Sequence, residues 1–178
     1  MKNLVNVLVP VIVIGLSGFF LNTLNAQPSN TSEDVTVGAN IAAPLILTKE
    51  RDLHFGTFAA GNGGTVTIAA TSDGNRTFNG PIEIPSLGTS DDDPESAEFE
   101  LKAHPQSTVT VTVPSTVTLT GPGDDMSVSL NSSVGGSIDF SGFGGNSTTF
   151  YIGGELTVGD GQTEGSYSGD FEVTVAYQ

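Results

Sequence analysis

The chain has 178 residues, no cysteine, no tryptophan, and 20 acidic against 5 basic residues, for a net charge of −15. Without cysteine no disulfide framework and no thiolate metal site can be built. A surface this acidic repels phosphate backbones and anionic lipid, so nucleic acid and membrane surfaces are not expected partners.

The N-terminus carries Lys2, then an almost wholly apolar run over residues 4–21, then Leu24, Asn25 and Ala26. A basic start, an apolar run and a small-residue site read as a secretory leader, cut after Ala26. The rival reading, a retained membrane helix, has a run barely long enough to span and no basic stop-transfer flank. The expected mature chain is residues 27–178. It keeps Lys49, Arg51, Arg76 and Lys102 against all 20 acidic residues, a net charge of −16. That length suits one domain with a real core. Residues 27–34 are polar and read as a flexible lead-in to a β-domain over residues 35–178.

After the leader, helical spacing of apolar residues is nearly absent and alternation dominates. Residues 34–48 place Val35, Val37, Ala39, Ile41, Ala43, Leu45 and Leu47 in one phase. Strands usually run about five or six residues, so Gly38 and Pro44 suggest two pieces. Further strands are predicted over 52–56, 64–69, 80–84 and 97–103, the last with Ala97, Phe99, Leu101 and Ala103 on one face. Others follow over 108–113, 117–120, 126–130, 137–140, 148–158 and 166–177. Between them stand turn formers: Gly61-Asn62-Gly63-Gly64, Asp73-Gly74-Asn75, Gly121-Pro122-Gly123-Asp124 and Gly159-Asp160-Gly161. Many short strands separated by such turns read as an all-β sandwich or barrel.

Catalytic chemistry finds little to work with. Nucleophilic hydrolysis needs a nucleophile beside an oriented base. The two histidines, His54 and His104, read as surface residues, and Gly165-Ser166-Tyr167-Ser168-Gly169 lacks the spacing of a nucleophile elbow. No enzyme activity and no cofactor are expected. Asp91, Asp92, Asp93 and Glu95, followed by Glu98 and Glu100, offer hard oxygen ligands that calcium accepts. They have no EF-hand spacing, and the plainer reading is a solvated, self-repelling loop.

The last predicted strand alternates Phe171, Val173, Val175 and Tyr177, with Gly165 fourteenth from the end. Such a strand can be extended by another chain's strand, or can simply close a sandwich. The glycine, the apolar row and the penultimate tyrosine resemble the C-terminal signature of chaperone–usher pilins. In that family a periplasmic chaperone holds the last strand, and subunits then polymerise by exchanging a donor strand.

A wider stretch, from about Val35 to the end, resembles a secreted bacterial family known as domain of unknown function 4402. The matching pieces are Thr48-Lys49-Glu50-Arg51-Asp52-Leu53-His54-Phe55-Gly56-Thr57, Gly61-Asn62-Gly63-Gly64-Thr65-Val66, and Ala97-Glu98-Phe99. They continue with Gly153-Gly154-Glu155-Leu156-Thr157-Val158-Gly159 and the segment from Gly165 to Tyr177. The resemblance extends to spore-coat U and common-pilus-like subunits. It implies an immunoglobulin-like sandwich of antiparallel strands and a surface or fibre role, with no catalytic residue to carry over. Many pilins carry a disulfide, whereas this chain has none.

A pilin-like subunit needs a donor strand. Val35, Val37, Ala39 and Ile41 can serve, with Gly38 allowing close approach, and the same residues equally fit the domain's own first strand. The expected function is a secreted fimbrial or surface-fibre subunit, partnered by copies of itself and, by resemblance, by a periplasmic chaperone and usher. Gly165, Phe171, Val173, Val175 and Tyr177 are its acceptor candidates. The alternative is a closed monomeric adhesin or carbohydrate-binding module, for which Tyr151, Tyr167 and Phe143 are the available stacking aromatics.

Overall fold

In the computed structural model, residues 32–41, 43–83, 93–142 and 145–178 are described. The predicted leader, Asp91, Asp92 and Phe143 lie outside them. The chain divides into two units, Met1–Ala39 and Asn40–Gln178. Of the first, residues 32–39 are exposed and carry no strand. All the elements that follow belong to the second.

Period-two alternation builds the second unit. The ten strands among the described residues are β1 (Ile46–Arg51), β2 (Gly64–Ile68), β3 (Arg76–Asn79), β4 (Ala97–Lys102) and β5 (Thr108–Thr112). Then come β6 (Thr116–Leu119), β7 (Met126–Ser132), β8 (Ser137–Asp139), β9 (Ser147–Val158) and β10 (Thr174–Tyr177). Among the described residues there is no α-helix, only a 3-10 turn at Phe140–Gly142. Every pairing between strands is antiparallel. β9 shows how the pattern works: Phe150, Ile152, Leu156 and Val158 are buried on one face, while Glu155 and Thr157 face outward.

β9 is the spine of the larger sheet. Gly154 pairs with Ile68 on one side and Leu130 on the other, and Ile152 pairs with Ala97 and Ser132. β2 and β4 therefore lie end to end along one edge of β9, with β7 along the other. β3 flanks β2, β1 flanks β4, and β6 flanks β7. The smaller sheet runs β10-β5-β8. The two layers make a β-sandwich.

The crossing from β4 to β2 along β9 happens at Gly153. A Cβ there would collide with the Ile68 carbonyl oxygen and with the backbone of Ala69 and Ala70. Only a residue without a side chain lets β9 pass so near the end of β2.

Two apolar clusters share the inner face of the large sheet. The first joins Phe99, Leu101, Phe150 and Ile152 to Val109, Val111, Ile138 and Phe140, and so is covered by the small sheet. Phe99 and Phe150 stack with ring centroids 5.4 Å apart. The second joins Val66, Ile68, Met126, Val128, Leu156 and Val158 to Phe55 and Ile82, which come from outside the strands. The first half of β9 is thus roofed by a sheet. The second half is roofed by irregular chain.

Several predicted strands are shorter in the structure. The 34–48 run becomes a strand only at Ile46, and residues 32–41 carry none. The 52–56 piece is one bridge, His54 to Glu95, and the described part of the 80–84 piece is one bridge, Glu83 to Ala59. The strand beside β2 is instead Arg76–Asn79. The 166–177 strand reduces to β10 plus a single bridge, Ser168 to Thr120. Alternation marks extended, half-buried chain. Whether a neighbour is present to complete a ladder depends on distant segments.

Candidate functional site

Where the small sheet stops, a cleft of about 890 Å³ opens over the second cluster. Its floor is the large sheet, with Val117, Leu119, Met126, Val128, Leu156 and Val158. One wall is the segment 53–61, which contributes Leu53, Phe55 and Phe58. The other is the segment 162–171, which contributes Tyr167 and Phe171. Glu164 is the one Asp, Glu, Lys or Arg among the lining residues. Both walls are extended chain held by single bridges, so most of their backbone stands outside any ladder.

Each wall is tied down from behind. Arg76 Nη1 donates to the Phe55 carbonyl at 2.9 Å and the Thr57 carbonyl at 3.4 Å, and its guanidinium lies 5.0 Å from the Phe78 ring centroid. A planar fork on an aromatic face is a rigid support for a strandless segment. On the opposite wall, the Tyr167 hydroxyl accepts from Gly123 N at 2.9 Å and donates to the Thr163 carbonyl at 2.9 Å. Gly165 sits at φ +143°, where a Cβ would meet the Pro122 ring. The loop can then fold onto 121–123 and deliver Tyr167 to the cleft. Tyr167→Phe keeps the ring and removes both hydrogen bonds. It is expected to lower stability by about 1–2 kcal/mol in a urea titration, with the wall at 162–167 the first backbone to lose amide-exchange protection.

Gly165 and Phe171 line the cleft. Phe171 also packs half-buried against the first cluster, as do Val173 and Val175. Tyr177 is 39% exposed, and its hydroxyl is engaged within its own chain. It donates to the Ala43 carbonyl at 3.0 Å and accepts from His104 N at 2.9 Å. The penultimate tyrosine therefore fastens the approach to β1 onto the end of β10. The donor candidates Val35, Val37 and Ile41 are 84%, 90% and 95% exposed, and Ala39 is exposed beside them.

Among the described residues the acidic side chains are spread rather than gathered, and Asp91 and Asp92 lie outside them. Glu98 pairs with Arg51 at 2.6 Å, and Glu95 lies 3.9 Å from the same guanidinium. Glu100 takes hydrogen bonds from Lys102 at 2.9 Å and Ser147 at 2.7 Å, and these hold its carboxyl below the usual glutamate range. Asp93 is exposed. Among the described residues no three His, Asp or Glu side chains come together as a metal site. His54 and His104 are exposed, and His54 Nδ1 accepts from Gly56 N. Of the stacking aromatics, Tyr151 is half-buried in β9 and Tyr167 is half-buried in the cleft wall.

The wall at 53–61 and the support Arg76 were not legible as site residues, and Tyr167 was legible only as a stacking aromatic, not as a support. Arg76 acts on residues 19 and 21 positions away, and Tyr167 on one 44 away. No local pattern encodes either pairing.

A family model described as Domain of unknown function (DUF4402) matches residues 45–177, and so leaves residues 35–41 outside the match. No curated protein matches the chain.

Proposed function

The chain belongs to the DUF4402 family, and on that premise we propose that it is an exported structural subunit of a surface fibre, joined to its neighbours by an added β-strand. The observation that carries this reading is the unfinished second layer. β10 is an edge strand, and two extended segments with little ladder pairing flank a cleft of about 890 Å³ whose floor is apolar. A strand laid there would gain backbone partners and bury alternate side chains, as in β-augmentation. The exposed row Val35, Val37, Ala39 and Ile41 has the required alternation. Export rests on the leader-like residues 1–26, and a chaperone that covers the edge before assembly fits the same reading.

Light scattering and negative-stain imaging of residues 27–178 test it. Ladders or filaments that vanish when residues 27–41 are deleted support strand addition. A folded monomer at every concentration rejects it and directs attention to a ligand for the cleft.

Charge makes a second demand. Copies carrying −16 each repel at long range, while the floor of the seat is apolar. The Debye length falls from about 30 Å at 0.01 M salt to about 8 Å at 0.15 M. Assembly is expected to speed up at least several-fold across that interval in a turbidity or light-scattering time course. Slower assembly with added salt contradicts an apolar seat between like-charged subunits.

A further inference from the structure

We propose that the outer face of the large sheet, with a polar cavity at its margin, binds a neutral glycan chain. This site lies on the opposite face of the sheet from the cleft and does not depend on the strand seat.

Strand register builds the face. Where β3, β2, the second half of β9, β7 and β6 lie side by side, Val66, Leu156, Val128 and Val117 turn toward the second cluster. The residues between them turn outward and line up in two rows. One row is Asn79, Thr65, Thr157, Ser127 and Thr118, and the other is Thr77, Thr67, Glu155, Ser129 and Thr116. Strands stand about 4.8 Å apart, so each row runs about 19 Å across the sheet, and the two rows lie about 6.8 Å from one another. Thr65 and Thr67 are half-buried and the other eight residues are exposed.

Nine of these ten side chains end in a hydroxyl or an amide. Glu155 is the one charge, and it takes a hydrogen bond from Thr67 Oγ1 at 3.4 Å. Threonine suits an exposed strand anywhere. The other end of the same sheet nevertheless differs, since β4 presents Glu98, Glu100 and Lys102, all ion-paired. In a mature chain of −16 the rows form a nearly neutral patch.

A second observation points to a ligand. A cavity of about 380 Å³ opens where the first row meets the turns at 121–125 and 159–163, and Ser127 and Thr157 belong to both row and cavity. That volume falls within the range of about 300–1,000 Å³ usual for small-ligand sites. Asp124, Asp125, Asp160 and Gln162 line it, and Gln162 Nε2 donates to the Asp124 carbonyl at 2.6 Å, which ties the two turns together. Among the described residues no three carboxylates converge as a metal site, so these stand as separate acceptors for hydroxyl groups.

The ligand class follows from what the face lacks. An anionic polymer is repelled by the surrounding charge. A protein partner needs an aromatic or apolar anchor at the centre of the contact, and the rows offer none. A neutral sugar chain exchanges its hydrogen bonds with water for bonds to hydroxyls and carboxylates, and its C–H faces rest on threonine methyls. The sheet holds these groups in place beforehand, so little ordering is needed on binding. One ring sits in the cavity and the chain continues along the rows.

Fluorescently labelled residues 27–178 on a printed panel of neutral and acidic glycans test the proposal. Retention is expected on at least one neutral glycan class and on none of the acidic ones. Thr157→Arg, at the centre of the first row, and Asp160→Ala, in the cavity, should each lower retention by about tenfold or more with unchanged unfolding curves. Thr149→Arg, on the outward face of the first half of β9 opposite Glu100, should leave retention unchanged. No neutral glycan retained, or acidic glycans retained equally well, overturns the proposal. So does equal loss from Thr149→Arg, or retention that survives both Thr157→Arg and Asp160→Ala.

Discussion

Val37→Asp combined with Ile41→Asp is expected to abolish assembly of the mature chain while leaving its unfolding curve unchanged. Both side chains are almost fully exposed, at 90% and 95%, and neither sits in a strand. Surface substitutions of that kind usually shift stability by within about 0.5 kcal/mol. In the proposed seat the consequence is different. Each carboxylate would face the apolar floor of a cleft whose lining holds no Lys or Arg, and an unpaired buried charge costs several kcal/mol. Two of them at about 3 kcal/mol each weaken association by about 10⁴-fold. The control is Thr36→Asp with Asn40→Asp, which adds the same charge on the opposite phase of the row. Sedimentation should find filaments for the control and monomers for the test variant. Equal loss in both would mean that charge, rather than the alternating face, governs assembly.

Phe150→Ala is expected to cost about 3–5 kcal/mol, the usual range for a buried aromatic reduced to a methyl. Phe150 is fully buried in the first half of the spine strand and stacks on Phe99 at 5.4 Å. It stands where the small sheet meets the large one, so the loss opens a void between layers that neither sheet can close without breaking ladders. A domain of this size has about 5–15 kcal/mol in total, and there is no disulfide to restrain the unfolded chain. A clear fall in the urea midpoint with an unchanged slope is the expected result by circular dichroism. A cost under about 1 kcal/mol would mean that the first cluster repacks freely, and that the sandwich is less rigid than its burial pattern implies. Because the cleft lies over the other cluster, the variant should keep its assembly behaviour at low temperature, where it remains folded.

Alternation by itself determined the all-β class and the inner face of β4, with Ala97, Phe99 and Leu101. It did so because period two is a local property: successive side chains point to opposite faces whatever lies beyond. Glycine and asparagine runs marked the turns for the same local reason. Composition alone established the acidity and the lack of sulfur bridges. The tertiary structure decided the rest. Residues 171–177 alternate strictly, yet only Thr174–Tyr177 finds a partner along its length, because β5 ends its ladder there. Tyr177 reads as part of an apolar row, but its hydroxyl bridges Ala43 and His104, 134 and 73 residues away. The cleft exists because the small sheet covers one cluster and leaves the other to two irregular walls. Contacts between segments far apart in the chain set which extended runs become ladders and which remain open, and no window of residues contains both sides of such a contact.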